Sequence, residues 1–300
     1  MTSTMSQRRR PWWRRRGTTG ALYALPTTVF IVLLFLVPLL TVGNMSLNEW
    51  QLIGGNKGFN APANFTSLLD EPRLWPSILF TLKYTVIVTV IMLALALGIA
   101  LIVQEASRWN SVLRTAILVP SALGLASASL LFYGMYSPNI GPLSPALQWL
   151  GIIDEPLSFL GTPDAALWST VFLIVWRFTG FYMLILMVGL QGISMDIYEA
   201  GRIDGASRWQ LFTGITLPLL RPSISMSVIL CVTGSLLAFD QFYILTKGGP
   251  DNSTMTVVQL IYREAFGTFN LGSAAALSVV VLAALVIINV VQIKALRAKD

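Results

Sequence analysis

Long apolar runs divide this chain into a series of predicted membrane helices. Five of the runs carry no charged residue, and a sixth carries only Arg177. A helix needs about 20 apolar residues to cross the hydrocarbon core of a bilayer. One run is too long for a single crossing, and the turn residues at 137–142 divide it and leave a short interfacial helix at 143–151. The pattern predicts an all-α integral membrane protein with six transmembrane helices, over residues 20–45, 80–103, 112–136, 166–190, 218–245 and 271–293.

The composition is typical of a chain that faces lipid. Of its 300 residues, 55% are hydrophobic and 11% are charged, and the mean hydropathy is +0.70. Soluble domains carry about 25% charged residues because their surface faces water. The chain has no His and a single Cys, Cys231. These counts exclude a disulfide framework, a Cys/His zinc site and any mechanism that needs imidazole, and we expect no metal site.

Basic residues are concentrated on one side of the predicted membrane. With six crossings both termini share a side, which holds 14 Lys and Arg against 5 on the other. The positive-inside rule then places both termini in the cytoplasm. We therefore divide the chain into a basic N-terminal tail at 1–19, a transmembrane domain at 20–293 and a C-terminal tail at 294–300. The arginine-rich segment 8–16 favours an uncleaved anchor on anionic lipid over a nucleic-acid arm or a signal peptide.

The cytoplasmic loop 191–217 contains signals for two short helices. Asp196 followed by Glu199 predicts a helix start of the capping-box type. Gly205 can adopt the left-handed conformation that ends a helix. Ser207 followed by Gln210 forms a second capping-box signal. The local sequence therefore predicts two amphipathic helices with a bend at the glycine. By itself this pattern is equally consistent with a simple connection between two spans.

The spacing within this loop resembles the Glu-Ala-Ala loop of the permeases of ABC importers. Glu199-Ala200-Gly201 is followed by Gly205 and later by Leu217-Pro218. Gly201 stands where alanine is usual, and this should cost the helix ~1 kcal/mol of propensity. The segments 198–212, 239–250 and 176–183 are similar to the carbohydrate-uptake branch of that family. The resemblance runs from about residue 75 to the C-terminus.

The resemblance implies a type I importer fold and a role for the loop, which would dock in a cleft of a separate ATPase. The implied partners are a homologous second permease subunit, two ATP-binding subunits and an extracytoplasmic solute-binding protein, with ATP and Mg on the ATPase. The setting would be a bacterial or archaeal cytoplasmic membrane. No Lys in the sequence follows a Gly, so we expect no phosphate-binding loop in this chain. The implied ATPase-coupling residues are Glu199, Ala200, Gly201, Asp204, Gly205, Trp209, Phe212, Leu217 and Pro218.

Two charged residues within the spans are candidates for the solute pathway. A charge at the bilayer centre costs ~2.5–3.5 kcal/mol on insertion scales, so it usually has a function or a partner. Arg177 and Asp240 could pair with each other or with the sister subunit. Alternatively, they could bind solute together with nearby aromatic and polar residues. The candidate pathway residues are Arg177, Trp176, Gly180, Tyr182, Ser235, Phe239, Asp240, Gln241 and Tyr243.

The sequence favours an importer subunit over two rivals. A membrane-embedded enzyme would need convergent acids or a nucleophile–base pair, and only Arg177 and Asp240 lie in the spans. An ion-coupled secondary transporter would predict inverted repeats with broken helices. The solute remains open within the carbohydrate branch, and Arg177 is compatible with glycerol 3-phosphate or a glycerophosphodiester.

Overall fold

The computed structural model describes residues 16–138 and 140–296, and these form a helical bundle with a small outer hairpin. Two π-helical turns, Val32–Leu36 and Phe212–Thr216, interrupt the helices. The helices are α1 Arg16–Ile31, α2 Val37–Ser46, α3 Ala63–Leu69, α4 Leu74–Val103, α5 Arg108–Ala122, α6 Leu125–Met135, α7 Leu143–Trp149, α8 Pro163–Gln191, α9 Met195–Ile203, α10 Arg208–Leu211, α11 Leu217–Leu236, α12 Asp240–Leu245, α13 Val257–Phe266 and α14 Leu271–Leu296, and the strands are β1 Asn48–Gln51 and β2 Gly55–Phe59.

The described residues contain five helices long and apolar enough to cross a membrane, or six if the bent pair α5 and α6 counts as one span. The five are Gly20–Ser46, Leu74–Val103, Pro163–Gln191, Arg208–Leu245 and Leu271–Leu296. Each predicted span therefore corresponds to an apolar helix or to a pair of helices. The predicted tails at 1–19 and 294–300 lie mostly outside the described residues.

The third span is broken, whereas the sequence predicted one helix over 112–136. α5 and α6 meet at an angle of 95°. Leu123 and Gly124 both have extended backbone at the break. Hydropathy does not show this break because both arms are apolar. Pro120 in α5 and Gly124 at the start of α6 are the residues near the break that disfavour a continuous helix.

α4, α8 and α11 form the centre of the bundle. One face of α4 is buried at four-residue spacing, through Val88, Met92, Ala96 and Ala100, which is the periodicity of a single helix face. The two alanines are fully buried, and small residues allow helices to approach closely in a membrane. Thr162 is the N-cap of α8, and its side chain accepts a hydrogen bond from the Ala165 N–H. Residues 20–41 of the first span are exposed in the described chain.

Short elements in the loops close one end of the bundle. β1 and β2 form an antiparallel hairpin in which Trp50 pairs with Asn56. The buried Asn64 donates hydrogen bonds to the carbonyl oxygens of Ser46 (2.9 Å) and Asn48 (2.8 Å). This amide ties α3 to the end of the first span. The segment predicted as an interfacial helix at 143–151 forms α7.

Candidate functional site

A cavity of about 280 Å³ lies between α4, α8, α11 and the start of α12. It forms where the fifth span breaks, at residues 237–239 between α11 and α12. The break interrupts the regular helix within an apolar bundle, and it brings a polar segment to the wall of the cavity. Ligand pockets between the helices of a bundle commonly combine apolar walls with a few polar groups. We therefore describe this cavity as the candidate solute site.

The polar groups of the cavity include acceptors that have no partner among the described residues. The Gln241 side chain is buried, and its amide nitrogen donates to the Tyr84 hydroxyl at 3.2 Å. Its amide oxygen, which is also buried, receives no hydrogen bond there. Asp240 lines the cavity and takes part in no ion pair of the described chain. Leaving the buried Gln241 oxygen without a donor costs about 1–3 kcal/mol, and a ligand hydroxyl that donates to this oxygen would remove that cost.

Aromatic rings form much of the cavity wall. Phe178, Phe181 and Tyr182 come from α8, and Phe239 comes from the break. Phe181 and Tyr182 meet edge to face at 5.2 Å. Aromatic faces present broad apolar surfaces. Together with the acceptors, they suit a ligand that has both an apolar ring face and hydroxyl groups.

The structure brings five of the nine predicted pathway residues together at this cavity. The five are Tyr182, Ser235, Phe239, Asp240 and Gln241. The other four lie elsewhere. Trp176 packs against Phe132 at a ring distance of 5.1 Å, Gly180 faces the α5 backbone, and Tyr243 contacts Tyr262 at 5.0 Å.

Arg177 is the fourth of these residues, and it binds the backbone at the break in the third span. Its Nε donates to the Leu123 carbonyl oxygen at 2.9 Å, and the Ser121 hydroxyl donates to the Arg177 carbonyl oxygen at 2.7 Å. Its guanidinium lies 4.1 Å from the centroid of the Phe178 ring. The suggested pair between Arg177 and Asp240 is absent from the described residues. The arginine side chain thus satisfies a backbone acceptor that the 95° bend leaves free.

Sequence reasoning missed several cavity residues. They carry no charge, and although Phe178, Phe181 and Gly234 adjoin selected residues, Tyr84, Met92 and Cys231 lie outside the motif segments. Tyr84 carried the one usable signal, since it is a hydroxyl-bearing residue within a predicted span. The missed residues include Tyr84, Met92, Phe178, Phe181, Cys231 and Gly234. Among the described residues, no cluster of three or more His, Cys, Asp or Glu could hold a metal ion.

The loop 191–217 forms an elbow made of α9, α10 and the glycine turn between them. Ser194, rather than the predicted Asp196, is the N-cap of α9, and its hydroxyl accepts from the Asp196 N–H. The prediction was wrong because Asp196 already lies within the first helical turn. Gly205 has φ +80°, a left-handed conformation that favours glycine. Ser207 and Gln210 form the predicted capping box of α10.

The two arms of the elbow pack closely. A Cβ on Gly201 would lie 2.7 Å from Cδ2 of Leu211 and 3.2 Å from Cδ1 of Ile215. This contact accounts for glycine at the position where alanine is usual. The Tyr198 and Thr216 hydroxyls are 3.0 Å apart and attach α9 to the start of the fifth span. The elbow is therefore held to the bundle as one piece.

The elbow exposes apolar side chains beyond the bundle. Trp209 is 71% exposed and Ile203 is 86% exposed. The rings of Trp209 and Phe212 lie 5.8 Å apart. Glu199 is exposed beside this apolar surface. Of the other predicted coupling residues, Ala200 and Asp204 end α9 through a backbone hydrogen bond of 3.0 Å, and Leu217 and Pro218 begin α11.

Comparison with known proteins places the chain among transport components. Residues 95–294 match the family described as "Binding-protein-dependent transport system inner membrane component". The trehalose/maltose transport system permease protein MalF of Thermococcus litoralis is 33% identical over 86% of this chain and 85% of its own length. The lactose transport system permease protein LacF of Rhizobium radiobacter is 32% identical over 95% of this chain and 96% of its own.

The fold is also similar to that of solved transporters. A chain of the bacterial alginate ABC transporter, crystallised with an alginate-bound periplasmic protein, superposes with a TM-score of 0.83. The two chains are 20% identical, and the match covers 95% of this chain and 97% of the other. The fold is therefore that of an ABC importer permease. On these matches, the chain belongs to the family of binding-protein-dependent transport system inner membrane components.

Proposed function

We propose that this chain forms half of the transmembrane pathway of an ATP-driven importer for a sugar or sugar-like solute. The observation that carries the proposal is the cavity at the break of the fifth span, where aromatic faces and unpartnered acceptors meet. A sugar ring has an apolar face and several hydroxyl donors. Two relatives are named as transport proteins, one for trehalose and maltose and one for lactose, and these names support the same class of solute.

The charge of the cavity bears on which end of the solute it holds. Within residues 16–138 and 140–296, its lining includes the Asp240 carboxylate and no basic residue. Arg177, which could have bound a phosphate, is engaged at the Leu123 carbonyl. A phosphate in the cavity would face the like charge of the Asp240 carboxylate, which is unfavourable. We therefore assign the neutral, hydroxyl-bearing part of the solute to this cavity and do not place a glycerol phosphate group there.

Energy would come from a separate ATPase through the elbow. Exposed apolar patches rimmed by polar residues commonly mark protein interfaces. Trp209 and Phe212 are the natural anchors, since buried aromatics dominate many interfaces. Glu199 would contact polar or basic groups of the ATPase. ATP and Mg would bind there, because the sequence has no phosphate-binding loop.

The assembly would contain two ATP-binding subunits, a second permease related to this chain and an extracytoplasmic binding protein. The crystallised alginate transporter includes a periplasmic protein of this kind. The elbow and both termini would face the cytoplasm, in agreement with the excess of basic residues on that side. Closure of the ATPase would move the elbow and turn the cavity from inward-facing to outward-facing.

Uptake into proteoliposomes tests this proposal. The complete transporter should accumulate radiolabelled sugar only with ATP and the ATPase present. Glu199→Lys should abolish uptake or release the ATPase. Glu105→Lys, a charge reversal at an exposed position between α4 and α5, is the matched control and should leave uptake intact. Uptake that persists without the ATPase would instead identify an ion-coupled secondary transporter.

A further inference from the structure

A second pocket lies at the outer end of the bundle, separate from the cavity already described. It has a volume of about 240 Å³ and lies between α12, α13 and the loop that joins them. Three aromatic rings line it, those of Tyr243, Tyr262 and Phe266. None of them is buried: they are 38%, 37% and 54% exposed. Part of each ring is therefore open to the pocket.

These rings form a continuous ladder that joins the two pockets. Phe239, which lines the inner cavity, stacks on Tyr243 at 5.1 Å with an angle of 18° between the ring planes. Phe239 also contacts Tyr262 at 5.3 Å. Tyr262 contacts Phe266 at 5.0 Å. A ligand could pass from one pocket to the other along aromatic surface.

The two ends of the ladder carry opposite charge. Asp240 lies at the inner end, whereas the outer pocket is lined by Lys247 and Arg263 and, among the described residues, by no acidic side chain. Neither cation takes part in an ion pair among the described residues. The recorded side-chain contact of Arg263 is a distance of 3.5 Å from Nη1 to Oδ1 of Asn252. The neighbouring Glu264 is buried and bonds to Thr268 instead.

The outer pocket also contains a buried acceptor without a partner. Gln259 lines it and is 4% exposed. Its amide oxygen receives no hydrogen bond from the described residues. Leaving such a group unsatisfied is unfavourable, and a ligand hydroxyl could supply the missing donor.

We propose that this outer pocket is a subsite for the anionic end of the solute. The aromatic rings contact the apolar face of a sugar ring, Lys247 and Arg263 bind a carboxylate, sulfonate or phosphate on it, and Gln259 accepts from a hydroxyl. Arg is well suited to this task because its guanidinium can donate two parallel bonds to such anions. The solute is then an anionic glycoside whose neutral end reaches the inner cavity. This inference rests on the proposed transport function.

Saturation-transfer NMR with the full chain in nanodiscs tests the subsite without ATP or uptake. The probes are D-glucuronate and D-glucose, which differ in charge at one carbon. We expect glucuronate to bind roughly tenfold more tightly, the effect of one charge-assisted contact. The double variant Lys247→Gln with Arg263→Gln should bind the two sugars equally. The control, Lys57→Gln with Lys83→Gln, removes two cations from other outer positions and should keep the preference.

The outcomes separate this proposal from its rivals and from the transport function. Equal binding of the two sugars to the unmodified chain, or a preference that survives the Lys247 and Arg263 changes, overturns the subsite. The ladder would instead be a contact between subunits if two results occurred together. The Tyr262→Ala chain would no longer co-purify with the second permease, and the unmodified chain would show no preference between the two sugars. Asp240→Asn alters only the inner cavity, so it should reduce uptake and leave glucuronate binding intact. Failure of ATP-driven uptake with glucuronate binding retained would refute the transport function alone.

Discussion

Replacement of Gly180 by alanine tests the contact between α8 and the broken third span. A Cβ at this position would lie 2.3 Å from the Ile117 carbonyl oxygen and 2.9 Å from Cα of Leu118. Both atoms belong to the α5 backbone, so no side chain can rotate away. Ordinary contact begins at 3.4 Å, and the two helices would therefore have to separate by about 1 Å.

The expected cost follows from two opposing effects. Overpacking costs typically 1–3 kcal/mol, and a contact this short with backbone belongs at the upper end. Alanine regains up to ~1 kcal/mol through its higher helix propensity. We expect net destabilisation of about 2 kcal/mol, which lowers the melting temperature by several degrees.

Thermal denaturation in detergent, followed by size-exclusion chromatography, measures this effect. The control is Gly98→Ala in α4, where a Cβ would have no atom within 4 Å. We expect that variant to melt at or slightly above the temperature of the unmodified chain. A Gly180→Ala protein that melts with the control would refute the close backbone contact between α8 and α5.

Three further substitutions test other parts of the structure. Arg177→Gln should destabilise the chain by about 1–3 kcal/mol, because the Leu123 carbonyl loses its donor. The affinity for solute should stay unchanged. A loss of affinity at an unchanged melting temperature would show that Arg177 binds the solute instead. Ser207→Ala removes the cap of α10 and should lower the free energy of unfolding by about 0.5–2 kcal/mol. It should also reduce ATP-driven uptake more than ATP hydrolysis. An unchanged ratio of uptake to hydrolysis would count against the elbow as the coupling element. Burial raises the pKa of Glu264 above its ordinary value, with Thr268 and the neighbouring Arg263 and Arg73 opposing the shift. Stability should therefore rise as the pH falls through that raised pKa, and Glu264→Gln should remove this dependence in denaturation curves taken across the pH range; an unaltered pH profile would show that the carboxyl is hydrated.

The apolar runs predicted the six spans because each span must satisfy its own backbone hydrogen bonds within lipid. The elbow could also be predicted from the sequence, because glycine and capping residues act through neighbours a few positions away. Ser207 caps α10, and Gly205 has the left-handed conformation that ends α9. Asp196 was misassigned by two positions, which is a common error at helix ends.

The solute pathway was only partly predictable. Tyr182 and Gln241 were selected with the motif segments, but Tyr84 lies 157 positions from the Gln241 side chain that it contacts. Arg177 was selected for its charge, and charge alone does not reveal which group the side chain reaches. That group is the backbone of a bend that hydropathy does not show.

The sequence by itself determined the membrane class of this protein, its apolar spans and the turn chemistry of its elbow, because these depend on composition and on interactions between near neighbours. Only the tertiary structure decided the 95° break in the third span, the attachment of Arg177 to that break and the aromatic ladder from Phe239 to Phe266. Each of these depends on contacts between helices that are distant in sequence, and the free energy of such contacts is set by packing rather than by local pattern.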